Sequence, residues 1–400
     1  MNSPHTPLPG SSPRHSASPE RNPRICLPTF RNFARTPFRC SHYEAQDILA
    51  DVDDVDLICL EAEARLPKRE RWLRKLSFHD VSKRLMFLNP GLRPVRLSRD
   101  YDLFVAVCQN YFDILYFNAI EGWRDRCRTS VCWLEEMWAS AVPGYKHWLH
   151  ALSRFDHIFV GCLGSVQAMS EALGRPVHWL PSAVDTIRFC PFPSPPARVI
   201  DVYSIGRRWE GSHRALHEAA QRGDIFYVHD TFAAADAETY DPRQHRQMFA
   251  NMAKRSRCFM VAPAKMNNPA HTNHQVEIGS RYYEGAAVGA VMIGQAPELD
   301  AFRQMFPWPD AVMHIEPDGC DVLSVLKNMA SDPSRVAAIR ANNISGALMR
   351  HDWLYRWQKV FEVIGLAQST GMSRRERRLQ ELANLVTDST ENTASAGTLR

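Results

Sequence analysis

Short apolar runs alternate with longer amphipathic or polar stretches along most of the chain. Two series of such runs predict strands, the first at residues 55–60, 103–107, 130–134, 157–160 and 177–180, and the second at 199–204, 225–227, 258–261, 290–293 and 312–315. The runs are rich in Val, Ile, Leu, Phe and Cys without strict alternation, which is typical of parallel sheets buried on both faces. Amphipathic segments between the runs predict the helices of βα units, for example at 165–173, 213–221 and 321–329.

A proline-rich segment separates the two series. Four prolines lie between residues 191 and 196, and neither a helix nor an inner strand tolerates them. The fold class is therefore predicted to be α/β, with two Rossmann-like domains at residues 41–190 and 198–366 and a linker at 191–197. Ligands of open parallel sheets bind beyond the carboxyl ends of the strands, so we expect the site in the cleft between the domains.

The two ends of the chain differ in composition from these domains. Residues 1–40 are rich in Pro and Ser at their start and are expected to form a disordered basic tail. Residues 367–400 predict an amphipathic helix followed by a polar tail. Residues 1–40 carry six Arg and one Glu, a net charge of +5, which leaves the other 360 residues with −1. A nearly neutral body argues against a nucleic-acid surface spread over the fold, so we expect no nucleic-acid partner; the basic tail leaves a peripheral membrane contact open.

The cysteines and the hydropathy pattern predict a cytoplasmic protein. Ten cysteines occur without a C-x-x-C pair, which favours neither a zinc site nor a redox motif and is typical of a reducing compartment. No run of 18 apolar residues is present, and the first 23 residues lack the apolar core of a secretory signal.

The second series opens with a loop that suits a phosphate group. Gly206, Arg207 and Arg208 directly follow the strand at 199–204. Glycine lets the backbone approach a ligand closely, and a guanidinium binds phosphate oxygens as a planar fork. The next helix, expected from about Ser212, would point its positive end at the same place. Taken alone, Gly-Arg-Arg is equally typical of a basic surface loop.

A second candidate segment runs from Glu277 to Ile293. It predicts a helix from about Gly279 that ends at Gly289 and turns directly into a strand. A carboxylate on this helix, such as Glu284, can accept hydrogen bonds from both hydroxyls of a ribose. A solvated acid on a helix face is the alternative interpretation of Glu284.

These segments, together with residues 177–191, resemble the retaining GT-B glycosyltransferases of the family-four type (glycosyl transferases group 1). In residues 177–191 a strand is followed by Pro181, Val184-Asp185, Phe189 and Pro191, in the spacing of that family. The branch that it resembles is the one related to the spore-maturation protein CgeB. The resemblance covers roughly residues 150–366, and it implies a GT-B architecture with the donor site mostly on the second domain. It also implies transfer of a sugar from a nucleoside diphosphate sugar, which is a substrate and not a cofactor, with retention and without a metal ion.

The resemblance implies a role for each candidate residue on the donor side. Family members hold the diphosphate with an Arg after the loop glycine and a Lys about six residues on, which implies Arg207 and, in place of the Lys, Arg214. The family's paired glutamates correspond to Glu277, at the donor sugar, and Glu284, on the ribose, although these two are seven residues apart instead of eight. The remaining donor contacts implied are Gly206, Arg208, Ile278 and Gly279.

The acceptor side is less determined. The family commonly places a His near the reacting carbon, and the corresponding stretch here, residues 132–138, offers Glu135 or Glu136 to polarise an acceptor hydroxyl. A helix cap or a surface acid is an equal alternative for either residue. The acceptor is expected to be a glycan, a lipid-linked molecule or a protein. Two other functions stay open, a non-catalytic nucleotide-sugar-binding protein and a GT-B enzyme that epimerises or hydrolyses its nucleotide sugar.

Overall fold

Parallel strands form the framework of both halves of the chain. The computed structural model describes residues 23–76, 83–231 and 237–397. The strands of the first half are β1 (Ile25–Thr29), β2 (Val55–Cys59), β3 (Val95–Arg96), β4 (Tyr101–Asn110), β5 (Ile120–Glu121), β6 (Cys127–Glu136), β7 (His157–Val160) and β8 (His178–Trp179). Those of the second half are β9 (Ile200–Ser204), β10 (Tyr227–His229), β11 (Ser256–Val261), β12 (Val291–Gly294) and β13 (Met313–His314).

Helices connect these strands and cover both sheets. The α-helices are α1 (Cys40–Val52), α2 (Leu66–Leu76), α3 (Trp123–Arg126), α4 (Lys146–Leu152), α5 (Val166–Leu173), α6 (Thr186–Phe189), α7 (Glu210–Gln221), α8 (Pro242–Lys254), α9 (Pro269–Thr272), α10 (Ser280–Ala287), α11 (Asp300–Met305), α12 (Val322–Ala330), α13 (Pro333–Arg350), α14 (Trp353–Ile364) and α15 (Thr370–Gly397). Shorter 3₁₀ segments lie at Pro37–Arg39, Lys83–Phe87, Tyr111–Ala119, Ala139–Gly144 and Leu163–Ser165. Among the described helices, none combines the length and the apolar character needed to cross a bilayer.

The strand order places a crevice at the same edge of each sheet. The first sheet has the order β2-β1-β4-β6-β7-β8 and the second the order β10-β9-β11-β12-β13, and neighbouring strands are parallel throughout. The chain therefore adds β2 on one side of β1 and β4 on the other, and it adds β10 and β11 on opposite sides of β9 in the same way. Such switch points open a crevice beyond the carboxyl ends of the strands. The prediction of two α/β domains with parallel sheets is confirmed.

The first domain begins earlier than the sequence suggested. Strand β1 lies inside the segment expected to be a disordered tail, and its residues are fully buried from Ile25 to Leu27. Pro28 lies within this strand, but the pairing of β1 with β4 ends at Cys26, so the proline interrupts no ladder on that side. The boundary predicted at residue 41 is therefore wrong for residues 25–40, while residues 1–22 lie outside the described part of the chain.

The last two helices cross back to the first domain. Trp353 and Trp357 on α14 are buried, and the indole N–H of Trp357 donates to the carbonyl of Ala45 on α1 at 2.9 Å. Helix α15 places Leu379, Leu382 and Val386 in the same apolar cluster as residues of β1 and β4. Helix α14, predicted as the end of the second domain, thus completes the core of the first, and α15 continues to Gly397 where a polar tail was expected.

We expect Trp357→Ala to lower the free energy of unfolding by about 3–5 kcal/mol, because a large side chain is removed from a core that cannot collapse around the cavity. Urea unfolding of the full chain measures the change. Trp72→Ala is the matched control, because Trp72 is 52% exposed and its loss should change stability by less than about 0.5 kcal/mol. Equal losses for the two variants would contradict the role assigned to α14.

Candidate functional site

Loops at the carboxyl ends of the two sheets meet across the cleft. The side-chain oxygen of Gln275 accepts a hydrogen bond from the amide of Ala139 at 2.9 Å, and its nitrogen donates to Ser165 Oγ at 3.1 Å. Lys265, in the loop after β11, forms an ion pair with Glu136 at the end of β6. Contacts from two loops of the second domain therefore hold it against the first.

Glu277 belongs to the same contact. Its two carboxylate oxygens accept hydrogen bonds from the backbone amides of Leu163 and Gly164, both at 2.8 Å, and Gln275 Nε2 donates to it at 2.6 Å. Burial raises the pKa of Glu277, and these three donors offset part of that effect. The structure thus directs this carboxylate to the first domain and not to a donor sugar, because free amides just before α5 offer it partners.

A chain of four charges, three of them buried and the fourth partly exposed, links the domains beside this contact. The Arg246 guanidinium donates to Glu44 of α1 at 2.8 and 3.0 Å and to Glu284 of α10 at 2.5 Å. The other oxygen of Glu284 pairs with Arg281, three residues earlier on the same helix. Burial alone would raise the pKa of Glu284, but the charges of Arg281 and Arg246 outweigh it and hold the pKa below its ordinary value of 4.5.

The partners of Glu284 change its expected role. The residue is only 1% exposed, and each carboxylate oxygen already accepts from a guanidinium. A ribose would have to displace one of these ion pairs to reach the carboxylate, at the cost of leaving a buried charge unpaired. The geometry therefore makes Glu284 a residue that positions Arg281, because its carboxylate is held between Arg281 and the distant Arg246.

Arg281 lies at the glycine loop that follows β9. Its Nε donates to the carbonyl of Ile205 at 3.2 Å, and its Nη2 lies 3.5 Å from the position that a Cβ of Gly206 would occupy. Gly206 has a φ of +81°, a left-handed conformation that glycine adopts without strain. Its amide donates to Asp230 at 3.0 Å, which fixes the loop against the end of β10. A cation and an exposed backbone turn therefore meet at this place.

The two arginines of the loop differ in their surroundings. Arg208 is tied to Asp230, whose carbonyl and carboxylate both lie 2.8 Å from its Nη2. Arg207 is exposed, and no ion pair or hydrogen bond joins its side chain to the described residues. Arg208 thus stabilises the loop, whereas Arg207 is free to turn towards a ligand.

The structure separates Arg214 from this group. Helix α7 packs through Ser212, Leu216 and Ala219, and Arg214 is exposed on the opposite side of the helix. The helix begins at Glu210, and the amide of Ser212 donates to the carbonyl of Pro317 at 3.1 Å. The expected positive end near Ser212 is therefore covered by a neighbouring loop, and α7 does not bring Arg214 to the glycine loop.

Helix α10 takes the place that α7 was expected to fill. No side chain of the described residues caps its first turn, so amide groups there keep their hydrogen-bonding capacity beside Arg281. Gly279 precedes the helix at a point where a Cβ would lie only 2.7 Å from the carbonyl oxygen of Ala262. The apolar side chain of Ile278 packs against the core of the second domain and offers no polar group to the loop.

On the first domain, Glu135 pairs with a histidine that sequence reasoning missed. The Nε2 atom of His42 on α1 lies 2.8 Å from Oε2 of Glu135, and His42 is 4% exposed while the Glu135 side chain is 25% exposed. Glu136 is already engaged by Lys265 and by the indole N–H of Trp138 at 2.9 Å. Of the two acids left open by the sequence, Glu135 therefore has the free, histidine-supported carboxylate.

The missed residues differ in how far they were visible in the sequence. Arg281 is one turn before Glu284, so helical spacing alone pointed to their ion pair. Arg246 lies 38 residues from Glu284, and His42 lies 93 residues from Glu135, each on another element. No local sequence pattern indicates either residue.

Solved structures of similar fold support the architecture. An alpha-glucosyltransferase in complex with UDP and a 13-mer DNA has a TM-score of 0.53 at 12% identity, over 86% of this chain and 99% of that one. The alpha-glucosyltransferase in complex with UDP has a TM-score of 0.52 at 13% identity over the same shares. The chain therefore has the GT-B fold. No protein-family profile matches the sequence, and no curated protein matches it either.

These structures correct the expectation about nucleic acid. The first is a complex with DNA, and so is a further alpha-glucosyltransferase structure with UDP-glucose, which has a TM-score of 0.50 at 13% identity. The fold thus accommodates nucleic acid in other proteins, and excluding it as a partner was wrong. The exclusion rested on a net charge averaged over 360 residues, which does not report how charge is distributed locally.

We expect Glu284→Gln to lower the free energy of unfolding by about 3–5 kcal/mol near neutral pH, because it removes one of the two anions of the buried Arg246 and the anion that pairs with Arg281. The ionised Glu284 contributes stability above pH 4.5, and this contribution is lost as the pH falls through its lowered pKa. The difference between wild type and variant should therefore shrink in acid. Urea unfolding at several pH values measures it.

The control for this prediction is Glu298→Gln, which alters an exposed glutamate outside the charge chain. Its effect should stay within about 0.5 kcal/mol at every pH. A Glu284→Gln effect that is independent of pH would contradict the ion pairs described here.

Proposed function

We propose that this chain is a glycosyltransferase that moves a sugar from a nucleoside diphosphate sugar to an acceptor hydroxyl. The observation that carries the proposal is the position of Arg281 at the left-handed turn of Gly206, at the carboxyl end of β9. A switch point of an α/β sheet is where such folds bind nucleotides. The retaining outcome and the family-four relationship implied by the sequence resemblance stay predictions.

The donor diphosphate is proposed to lie between the glycine loop and the first turn of α10. Arg281, the exposed side chain of Arg207 and the uncapped amides of α10 supply positive charge at this place. Negative charge develops on the diphosphate as the glycosidic bond breaks, and fixed donors aimed at that charge lower the barrier. These groups supply the charge that a divalent ion provides elsewhere, so we propose transfer that does not depend on a metal.

Glu284 and Arg246 are proposed to fix Arg281 before the donor arrives. A guanidinium held by a buried carboxylate cannot swing away, so little reorganisation is needed when charge develops. Glu44 belongs to the first domain, and therefore the position of Arg281 depends on how the domains are joined. Glu277 and Gln275 hold the same joint from the other side.

On the acceptor side, Glu135 is proposed to accept the proton of the attacking hydroxyl. Its carboxylate is partly exposed at the carboxyl end of β6, and Nε2 of His42 lies 2.8 Å from one of its oxygens. The expected acceptor classes remain a glycan, a lipid-linked molecule or a protein, and nucleic acid is added to them. Binding without turnover, hydrolysis and epimerisation of the nucleotide sugar are the competing functions.

The deciding experiment incubates the full chain with a panel of nucleotide sugars and candidate acceptors and analyses the products. UDP-sugars come first, because two structures of similar fold are complexes with UDP. A new glycoside is expected. Free sugar would indicate hydrolysis, an epimer would indicate epimerisation, and an unchanged donor would indicate binding without turnover. Loss of product in excess chelator would overturn the metal-independent mechanism.

We expect Arg281→Ala to lower kcat by about 100- to 1,000-fold, the usual effect of removing one fixed donor from a developing charge. Arg281→Lys should restore only part, because an ammonium does not reproduce the planar fork. Arg214→Ala is the matched control and should keep kcat within about twofold, since that side chain faces away from the loop. If Arg281→Ala turns over normally, or if Arg214→Ala loses as much activity, Arg281 is not the residue that stabilises the developing charge.

A separate expectation concerns the acceptor base. Glu135→Gln should reduce kcat by about 100- to 10,000-fold while donor affinity, measured by calorimetry, stays the same. Glu136→Gln removes the neighbouring acid and should reduce kcat far less, because Glu136 is neutralised by Lys265. Weaker donor binding in Glu135→Gln would indicate a structural role for this residue instead.

A further inference from the structure

Helix α2 carries more positive charge than the acids among the described residues balance. Its eleven residues include Lys68, Arg69, Arg71, Arg74 and Lys75, with Glu70 as the sole acid. Glu70 is engaged with Arg74 on the same helix and accepts from the hydroxyl of Tyr116 at 2.9 Å. In the described part of the chain, no acid pairs with the other four cations. Ion pairs with the described residues therefore do not offset the repulsion among these four cations.

The exposed charges form a line on one side of the helix. Lys68, Arg71 and Lys75 follow the spacing i, i+3, i+7, and Trp72 at i+4 stands beside them, so the four side chains share one face. We call these four residues the α2 stripe. All four are exposed, and Trp72 is 52% exposed. The stripe extends over about 10 Å along the helix axis, from the rise of 1.5 Å per residue.

The opposite face of α2 is already occupied. Leu66 and Leu73 are buried in the core of the first domain. An amphipathic helix that lies in a membrane needs a free apolar face to insert below the headgroups, and α2 has turned that face inwards. What it presents to the outside is a row of cations with one aromatic ring.

The position of α2 relates the stripe to the cleft. The helix is anchored to the segment that follows β4, by Tyr116 on Glu70 and by the Arg74 guanidinium 4.0 Å from the centre of the Phe112 ring. Strand β4 ends beside β6, where Asn110 pairs in register with Glu136. Helix α2 is therefore anchored to the segment that leaves the edge of the first sheet where Glu136 lies.

We propose that the α2 stripe binds the sugar-phosphate backbone of single-stranded nucleic acid. Cations spaced along one helix face match a linear polyanion, and neutralising its phosphates releases counterions, which drives binding. An exposed Trp among those cations provides a surface on which an unpaired base stacks. Binding is a property of the stripe and does not depend on the proposed sugar transfer.

The test measures fluorescence anisotropy of a labelled single-stranded oligonucleotide of mixed sequence with the full chain, without any nucleotide sugar. The logarithm of the binding constant should fall linearly with the logarithm of the salt concentration. Three phosphate contacts should make this slope steeper by about 2. Lys68→Gln/Arg71→Gln/Lys75→Gln should lose that part of the slope. Trp72→Ala should weaken binding by about 5- to 150-fold with an unchanged slope.

The matched control is Lys327→Gln/Arg374→Gln/Arg377→Gln, which removes the same charge from exposed positions on other helices. It should bind the oligonucleotide like wild type, and circular dichroism should show all variants folded. The proposal is overturned if the control loses as much affinity as the stripe variant, if the stripe variant binds like wild type, or if the chain binds vesicles containing phosphatidylglycerol through the stripe but not the oligonucleotide. Because no donor is present, these outcomes are separate from success or failure of sugar transfer.

Discussion

The buried sequence of charges from Glu44 through Arg246 and Glu284 to Arg281 is the interaction on which the rest of this structure depends. Its members come from α1, α8 and α10, so it connects a helix of the first domain to the glycine loop of the second. The two inner members, Arg246 and Glu284, each pair with two opposite charges, which is the condition under which buried charge is tolerated. The joint between the domains and the position of Arg281 at the glycine loop are therefore set by the same four side chains.

A second line of ion pairs reinforces that joint. Arg243, one turn before Arg246 on α8, donates to Asp47 on α1 with both distances at 2.8 Å, and Arg31 shares the same carboxylate. Burial raises the pKa of Asp47, but the guanidinium groups outweigh it and hold the pKa below its ordinary value. Two helices thus face each other with acids on one and arginines on the other. Relative motion of the domains has to break both lines together, which favours one closed arrangement over a range of them.

The sequence predicted the sheets well and the site only in part, for a physical reason. Parallel strands are encoded by local apolar runs, so β4, β6, β9, β11 and β12 were visible; β1 was missed because Pro28 and its basic surroundings masked a five-residue run. The glycine loop was visible because Gly206 and its neighbours are contiguous. Arg246 and His42 were not, because their roles arise only when distant helices pack. Glu277 and Glu284 were found by spacing, but spacing does not reveal which partners a carboxylate will meet.

The crossing of α14 and α15 onto the first domain has a consequence for how the chain folds during synthesis. Ile25 and Leu27 of the first strand share an apolar cluster with Trp357 and Val386, contacts that close loops of more than 300 residues. Before α14 and α15 are synthesised, this face of the first sheet is covered by α1 but not by these two helices. The first domain therefore completes its core only after the second has been synthesised, and part of its apolar surface stays exposed until then. Such a nascent chain is one on which chaperones that shield apolar surface have the longest time to act.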